Sequence, residues 1–145
     1  MREITAEEVQ KLRDCLQALA AYHNQVSTFF SGSYPGCPYD ATLSAFAQAL
    51  EQGTSRIAVI EREGSVVGFC KIDLCGGRGK LDYLVVQEAY RGSGYGKALM
   101  DWAMETFARH AVGQIEVKVV AGNEAIHLYE AYGFRLNAHL LVKDL

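Results

Sequence analysis

The chain has 145 residues, 50% of them hydrophobic and 21% charged, and a net charge of −3. That is one domain's length with enough apolar content for a real core; the acidic balance argues against a broad nucleic-acid surface, and no apolar run reaches membrane-spanning length. Four cysteines (Cys15, Cys37, Cys70, Cys75) form no C-x-x-C and no Cys/His ligand spacing, and Met1-Arg2-Glu3 opens no apolar targeting core, so reduced thiols, no metal and a cytoplasmic protein are expected.

Arg2 to Thr5 is long enough only for an edge strand. Thr5 with Glu8 is a capping box, and Val9, Leu12, Leu16 and Leu19 trace one face of a helix to about Tyr22. A polar and aromatic connector, His23 to Tyr39, follows. Asp40 is placed to cap a second helix, whose Leu43, Phe46, Ala47 and Leu50 share a face and which Gly53 stops. Arg56–Glu61 and Val66–Ile72 are β-rich runs joined around Glu63-Gly64-Ser65, which predicts a hairpin. A glycine turn, Gly76 to Gly79, leads into a further strand, Leu81–Val86.

Beyond that strand come a polar bend, Gln87 to Tyr90, and the run Arg91-Gly92-Ser93-Gly94-Tyr95-Gly96-Lys97. A helix follows, with Leu99, Trp102, Ala103, Met104 and Phe107 on its buried side, ending near His110. Gln114–Val120 alternates cleanly and is predicted to lie parallel to Leu81–Val86, because a helix joins the two. Asn123 caps a short helix, Glu124–Tyr132, closed by Gly133, and Phe134–Val142 is predicted as a last strand. The expected fold is a single α/β (α+β) domain over residues 1–145. Its mixed, mostly antiparallel sheet is flanked by helices, in the order β-α-α-β-β-β-α-β-α-β.

A strand that ends in glycines and runs into a helix leaves main-chain N–H groups unpaired at the positive end of the helix dipole, which makes an anion site. Glycines let a phosphate approach the backbone. A Walker loop fails, because Arg91 stands where its first glycine should be and Ala98 follows Lys97. A dinucleotide fingerprint fails at Lys97. The pattern that fits is R-x-x-G-x-G at Arg91, Gly94 and Gly96. Downstream, Asn123-Glu-Ala-Ile-His-Leu128-Tyr129-Glu-Ala-Tyr132-Gly133-Phe134 carries N-x-x-A-x-x-L-Y-x-x-x-G-F with the alanine displaced by one residue.

The two motifs, in this order, resemble those of the GNAT superfamily, the GCN5-related N-acetyltransferases, and the resemblance covers most of the chain from Arg56 onward. It implies acetyl-coenzyme A as cosubstrate and direct transfer of its acetyl group to a primary amine. It places the pantetheine arm along Leu84, Val85 and Val86, and the pyrophosphate on Arg91, Gly92, Ser93, Gly94, Tyr95, Gly96 and Lys97. It also implies that Asn123 touches the coenzyme and that Tyr129 is the general acid for the departing sulfur, with Tyr132 as fallback. It further implies that the strands of Leu81–Val86 and Gln114–Val120 splay apart around the thioester. A phenol suits the acid's task because its pKa lies near that of a thiol.

Asp82 is the candidate base, with Lys80 the alternative match for its position; a water chain or an already neutral amine would serve as well. Acceptor choice is expected from the first two helices and their connector, through His23, Phe30 and Tyr34. A small-molecule or peptide amine is the expected partner, without nucleic acid or membrane; a homodimer is left open. The competing reading is a non-catalytic acyl-coenzyme A sensor.

Overall fold

The computed structural model describes residues 1–145. Strand β1 (Arg2–Glu3) is followed by a 3-10 helix, Ala6–Leu12, and then by helix α1 (Arg13–Val26). Glu8 accepts the Thr5 N–H at 3.3 Å, as the capping box requires. The opening turns wind as 3-10 rather than α, which eclipses Val9 and Leu12 and buries both. With no glycine or proline to stop it, α1 runs past the expected Tyr22 to Val26. Helix α2 (Tyr39–Glu51) begins behind Pro38 rather than Asp40, whose carboxylate sits in the first turn and pairs with Arg13.

The expected hairpin forms from β2 (Ser55–Arg62) and β3 (Ser65–Cys75), which pair antiparallel, and β3 pairs in turn with β4 (Arg78–Val86). Strand β4 starts earlier than expected because Gly79 belongs to the sheet and not to the turn. A Cβ there would lie 2.4 Å from the Phe107 ring, so the glycine lets the next helix pack against the strand. Ile72 pairs with Leu81 and Lys71 with Tyr83, so Asp82 is a bulge residue.

Helix α3 (Tyr95–Arg109) crosses over to β5 (Gln114–Val117), which lies parallel to β4 as predicted. The sheet has five strands in the order β1-β2-β3-β4-β5. After β5 comes a short helix, α4 (Ile126–Ala131).

Two expectations fail at this end. Strand β5 stops at Val117 instead of Val120, and Phe134–Val142 is not a strand. The latter segment alternates apolar and polar residues but pairs with no strand, the sheet ending at β5, and alternation without ladder hydrogen bonds does not make a strand. Leu136, Leu140, Leu141 and Val142 therefore stand exposed, Leu141 at 89%.

The sheet buries both faces. On one, Phe69, Val85, Ile57 and Val59 pack under α1 and α2 against Leu16 and Phe46. On the other, Cys70, Ile72 and Leu81 pack under α3 and α4 against Leu99, Phe107 and Tyr129. All four cysteines are free thiols; Cys15 and Cys70 are core, Cys37 and Cys75 exposed. No helix is long and apolar enough to cross a membrane.

Candidate active site

The turn after β4 owes its shape to glycine. Gly92 and Gly94 have φ of +82° and +84°, conformations that other residues adopt only under strain, and Gly94 is the N-cap of α3. The first helical amide to find a partner is that of Ala98, which donates to Gly94 O at 3.0 Å. The N–H groups of Tyr95, Gly96 and Lys97 are left at the positive end of a 15-residue helix. A Cβ built on Gly92, Gly94 or Gly96 would meet nothing within 4 Å, so the space before these amides is open. The donors and the room fit a pyrophosphate.

The basic side chains of the turn already have partners within the protein. Arg91 Nε donates to the carbonyl of Val86 at 3.0 Å, and its guanidinium lies 4.9 Å from the centre of the Tyr22 ring. Lys97 Nζ binds Asp101 at 2.7 Å. The Tyr95 hydroxyl accepts a hydrogen bond from Arg62 at 2.8 Å, and Ser93 is exposed.

Pairing between β4 and β5 runs from Arg78↔Gln114 to Leu81↔Val117 and stops there. The edge of Leu84–Val86 that faces β5 is therefore unpaired, and a cavity of about 300 Å³ opens beside it. Of the residues expected at the coenzyme, Leu84, Val85, Val86, Arg91, Gly92, Gly94, Tyr95, Gly96 and Asn123 line it and Ser93 and Lys97 do not; the two catalytic candidates, Tyr129 and Asp82, also lie outside its lining. Leu19, Tyr22, Tyr90 and Leu128 line it as well. Leu19 was legible only as an apolar helix residue, Tyr22 only as a helix end and Leu128 as a motif residue with no assigned contact; what each faces depends on how the helices meet.

Tyr129 is 7% exposed and packs edge-on to Phe134, with ring centres 6.0 Å apart. Burial, and secondarily the nearby Cys70, pushes its hydroxyl up to about 12. Tyr129 is thus a protonated donor at neutral pH, but less closely matched to a thiol than an ordinary phenol. Tyr132 is committed to α3, its hydroxyl donating to Asp101 at 2.6 Å. Asn123 Oδ1 accepts the Ala125 N–H at 2.9 Å, one residue ahead of α4. The loop carrying Asn123 is locked to the end of α1: Thr28 N–H donates to Ala121 O at 3.1 Å, and a Cβ on Gly122 would fall 2.0 Å from Val26 O.

On the opposite face of the sheet, Asp82 follows directly on the last residue of β4 that pairs with β5. Its carboxylate lies 2.7 Å from Lys71 Nζ and 3.4 Å from Lys80 Nζ, with its side chain 20% exposed. Lys71 is a core residue at 5% exposure and also binds Asp73 at 2.6 Å. The one signal of it in the sequence is a single charge inside the apolar run Val66–Ile72.

His23 and Tyr34 meet at 5.1 Å where α1 passes into the connector, and burial holds His23 below the ordinary histidine range. Asn24 organises the connector, its Oδ1 accepting the Gly32 and Tyr34 amides at 2.9 Å. Neither His23, Phe30 nor Tyr34 lines the cavity.

Comparison with solved structures finds the same fold in a GCN5-related N-acetyltransferase from Ralstonia eutropha JMP134, with a TM-score of 0.80 at 16% identity over 99% of this chain and 96% of that one. The PaiA N-acetyltransferase from Thermoplasma acidophilum, solved in complex with coenzyme A, gives 0.79 at 13% identity over 94% and 89%. Ribosomal-protein-alanine N-acetyltransferase from Brucella melitensis biovar Abortus 2308 gives 0.68 at 17% identity over 99% and 97%. No curated protein sequence matches the chain. The model of the acetyltransferase (GNAT) family matches residues 19–134. With the glycine turn, the opened sheet and four-fifths of the chain in agreement, this protein belongs to the acetyltransferase (GNAT) family.

Proposed function

We propose that the chain transfers the acetyl group of acetyl-coenzyme A directly to a primary amine. The observation that carries this reading is the opening between β4 and β5, which has a donor-lined anion cradle at one end. Tyr129 belongs to the core on one face of the sheet, while Asp82 pairs with Lys71, which lies over the Phe46 ring on the other. That division suits a reaction in which the nucleophile arrives from one face and the sulfur departs on the other.

The Tyr95, Gly96 and Lys97 amides hold the pyrophosphate, and the free edge of Leu84–Val86 offers main-chain partners to the pantetheine arm. Asn123 sets the loop beside it. An alkylamine is protonated near neutrality and must lose a proton to attack. Asp82 accepts that proton. The amine nitrogen bonds to the thioester carbon and gives up its second proton to solvent, the carbon–sulfur bond breaks, and the electron pair leaves with sulfur. Tyr129 stabilises that thiolate as a hydrogen-bond donor. With the phenol near 12, complete proton transfer to sulfur runs uphill, so the thiol gains its proton from solvent on release.

His23, Phe30 and Tyr34 act on the acceptor indirectly, by shaping a connector that is docked on the Asn123 loop. A second copy of the chain is the partner that the exposed segment Leu136–Val142 and the open β5 edge favour. Light scattering that reads one chain per particle would remove that part.

The test is thiol release from acetyl-coenzyme A against a panel of primary amines: a polyamine, an aminoglycoside, free amino acids and peptide N-termini. Release with at least one class is expected. Calorimetric binding of acetyl-coenzyme A without turnover of any amine would favour the sensor reading, and absence of binding would end both.

A further inference from the structure

We propose that Lys71 is a positioning residue for the acceptor side of the site, fixing the Asp82 carboxylate at the mouth of the β4–β5 opening. This rests on the reading of Asp82 as the base.

A lysine nine-tenths buried in the middle of a sheet is unfavourable unless its charge is matched. Here the match is complete and directional. Nζ has Asp73 Oδ1 at 2.6 Å, Asp82 Oδ2 at 2.7 Å and the Phe46 ring centre at 5.0 Å. Asp73 is itself anchored, since Ser55 Oγ donates to the same Oδ1 at 2.6 Å. The chain Ser55–Asp73–Lys71–Asp82 thus runs from a fixed strand to the one residue of β4 that lies outside the regular pairing.

A bulge residue lacks the opposite neighbour that would otherwise set its direction. Lys71 supplies that direction from below. The two oxygens of Asp82 are then unequal. Oδ2 is held by a buried ammonium, whereas Oδ1 faces Lys80, a half-exposed side chain at 3.4 Å that is free to move aside. Oδ1 is therefore the oxygen that takes the proton from the acceptor amine. Lys71 touches neither substrate. Without it Asp82 would turn into solvent or toward Lys80, and the base would be present but misplaced.

The test compares Lys71→Gln, Lys71→Arg, Asp73→Asn, Asp82→Asn and the Lys71→Gln/Asp82→Asn double variant. The probe is acetyl-coenzyme A with the first amine of the panel that releases thiol. Lys71→Gln is expected to lower kcat at saturating amine by about 10- to 100-fold, the range for a misplaced catalytic group. Coenzyme affinity by calorimetry should stay within about two-fold, because the phosphate cradle lies elsewhere. Lys71→Arg should recover part of kcat, and Asp73→Asn should lower the thermal midpoint more than the rate. The double variant should be no slower than Asp82→Asn alone, since both changes act through one carboxylate.

Wild-type kcat in Lys71→Gln alongside a lowered thermal midpoint would make Lys71 structural only and overturn the proposal, provided that Asp82→Asn is slow. Full turnover in Asp82→Asn would instead remove the base reading and Lys71's role with it. If Lys71→Gln does not fold, Lys71→Gln/Asp73→Asn relieves the excess negative charge and is measured in its place, with the same expectation for kcat.

Discussion

Gly96→Ala separates the anion site from the fold. Gly96 is the second residue of α3, has no positive φ, and would place a new methyl in open space at the cavity wall. For the free protein the change is neutral or better, since alanine is favoured over glycine in a helix by roughly 0.5–1 kcal/mol. That raises the thermal midpoint by a few degrees at most. For the bound coenzyme the same methyl stands where a phosphate oxygen must come within hydrogen-bonding distance of the amide. Losing one charge-assisted hydrogen bond costs about 1.5–3 kcal/mol, or roughly 10- to 100-fold in affinity. Titration calorimetry with coenzyme A, paired with differential scanning calorimetry of the free protein, reads both quantities. Gly94→Ala is the control: its φ of +84° makes the same methyl strained, so stability and affinity should fall together. Wild-type affinity in Gly96→Ala with an unchanged or raised midpoint would show that the phosphates do not sit on the start of α3.

Tyr129→Phe removes the donor and keeps the ring, so kcat should fall by about 100- to 1000-fold, as for loss of one donor to a developing anion, while coenzyme affinity holds; steady-state kinetics at saturating amine decide, and an unaltered kcat would clear the hydroxyl of any part in the chemistry. Burial raises Cys15 from 9.0 to about 11, Cys70 from 9.0 to about 12 and Tyr129 from 10.0 to about 12. Each ionises more readily in the unfolded chain, so the stability they contribute is whole below pH 9 and is lost progressively between about pH 9 and 12. Urea midpoints across that range should decline, and a flat profile would contradict the burial of these groups. Gly122→Ala meets both a φ of +100° and the Val26 carbonyl. It should destabilise the protein by more than about 2 kcal/mol and loosen the Asn123 loop, measured by denaturant unfolding and by protease cutting near Ala121.

The parts of this molecule that local chemistry dictates were legible in the residues. The glycine run has one good use between a strand and a helix, and the crossover through α3 forces β5 to lie parallel to β4. What was hidden depends on distant partners. Gly79 read as turn because glycine usually is, and Phe107 made it strand. Residues 134–142 alternate as a strand should, but a strand is made by pairing with a neighbour, and this segment pairs with none. Lys71 read as an ordinary charge in a β-run; its meaning depends on a bulge that shifts the register by one residue and brings Asp82 within reach. Arg91 and Lys97 were expected at the pyrophosphate from the resemblance; Arg91 lines the cavity while held by Val86 and Tyr22, and Lys97 pairs with Asp101 outside its lining.

That last arrangement has a consequence for how such a protein can change. A contact made by amides is written in the path of the backbone, so exchanging Ser93 or Lys97 for another residue leaves it untouched, whereas inserting one residue between Gly92 and Gly96 would erase it. The amide cradle is thus fixed together with the fold, while residues 29–38 of the connector, held mainly through Asn24, are not bound to it. One donor of acetyl groups can in this way serve many recipients.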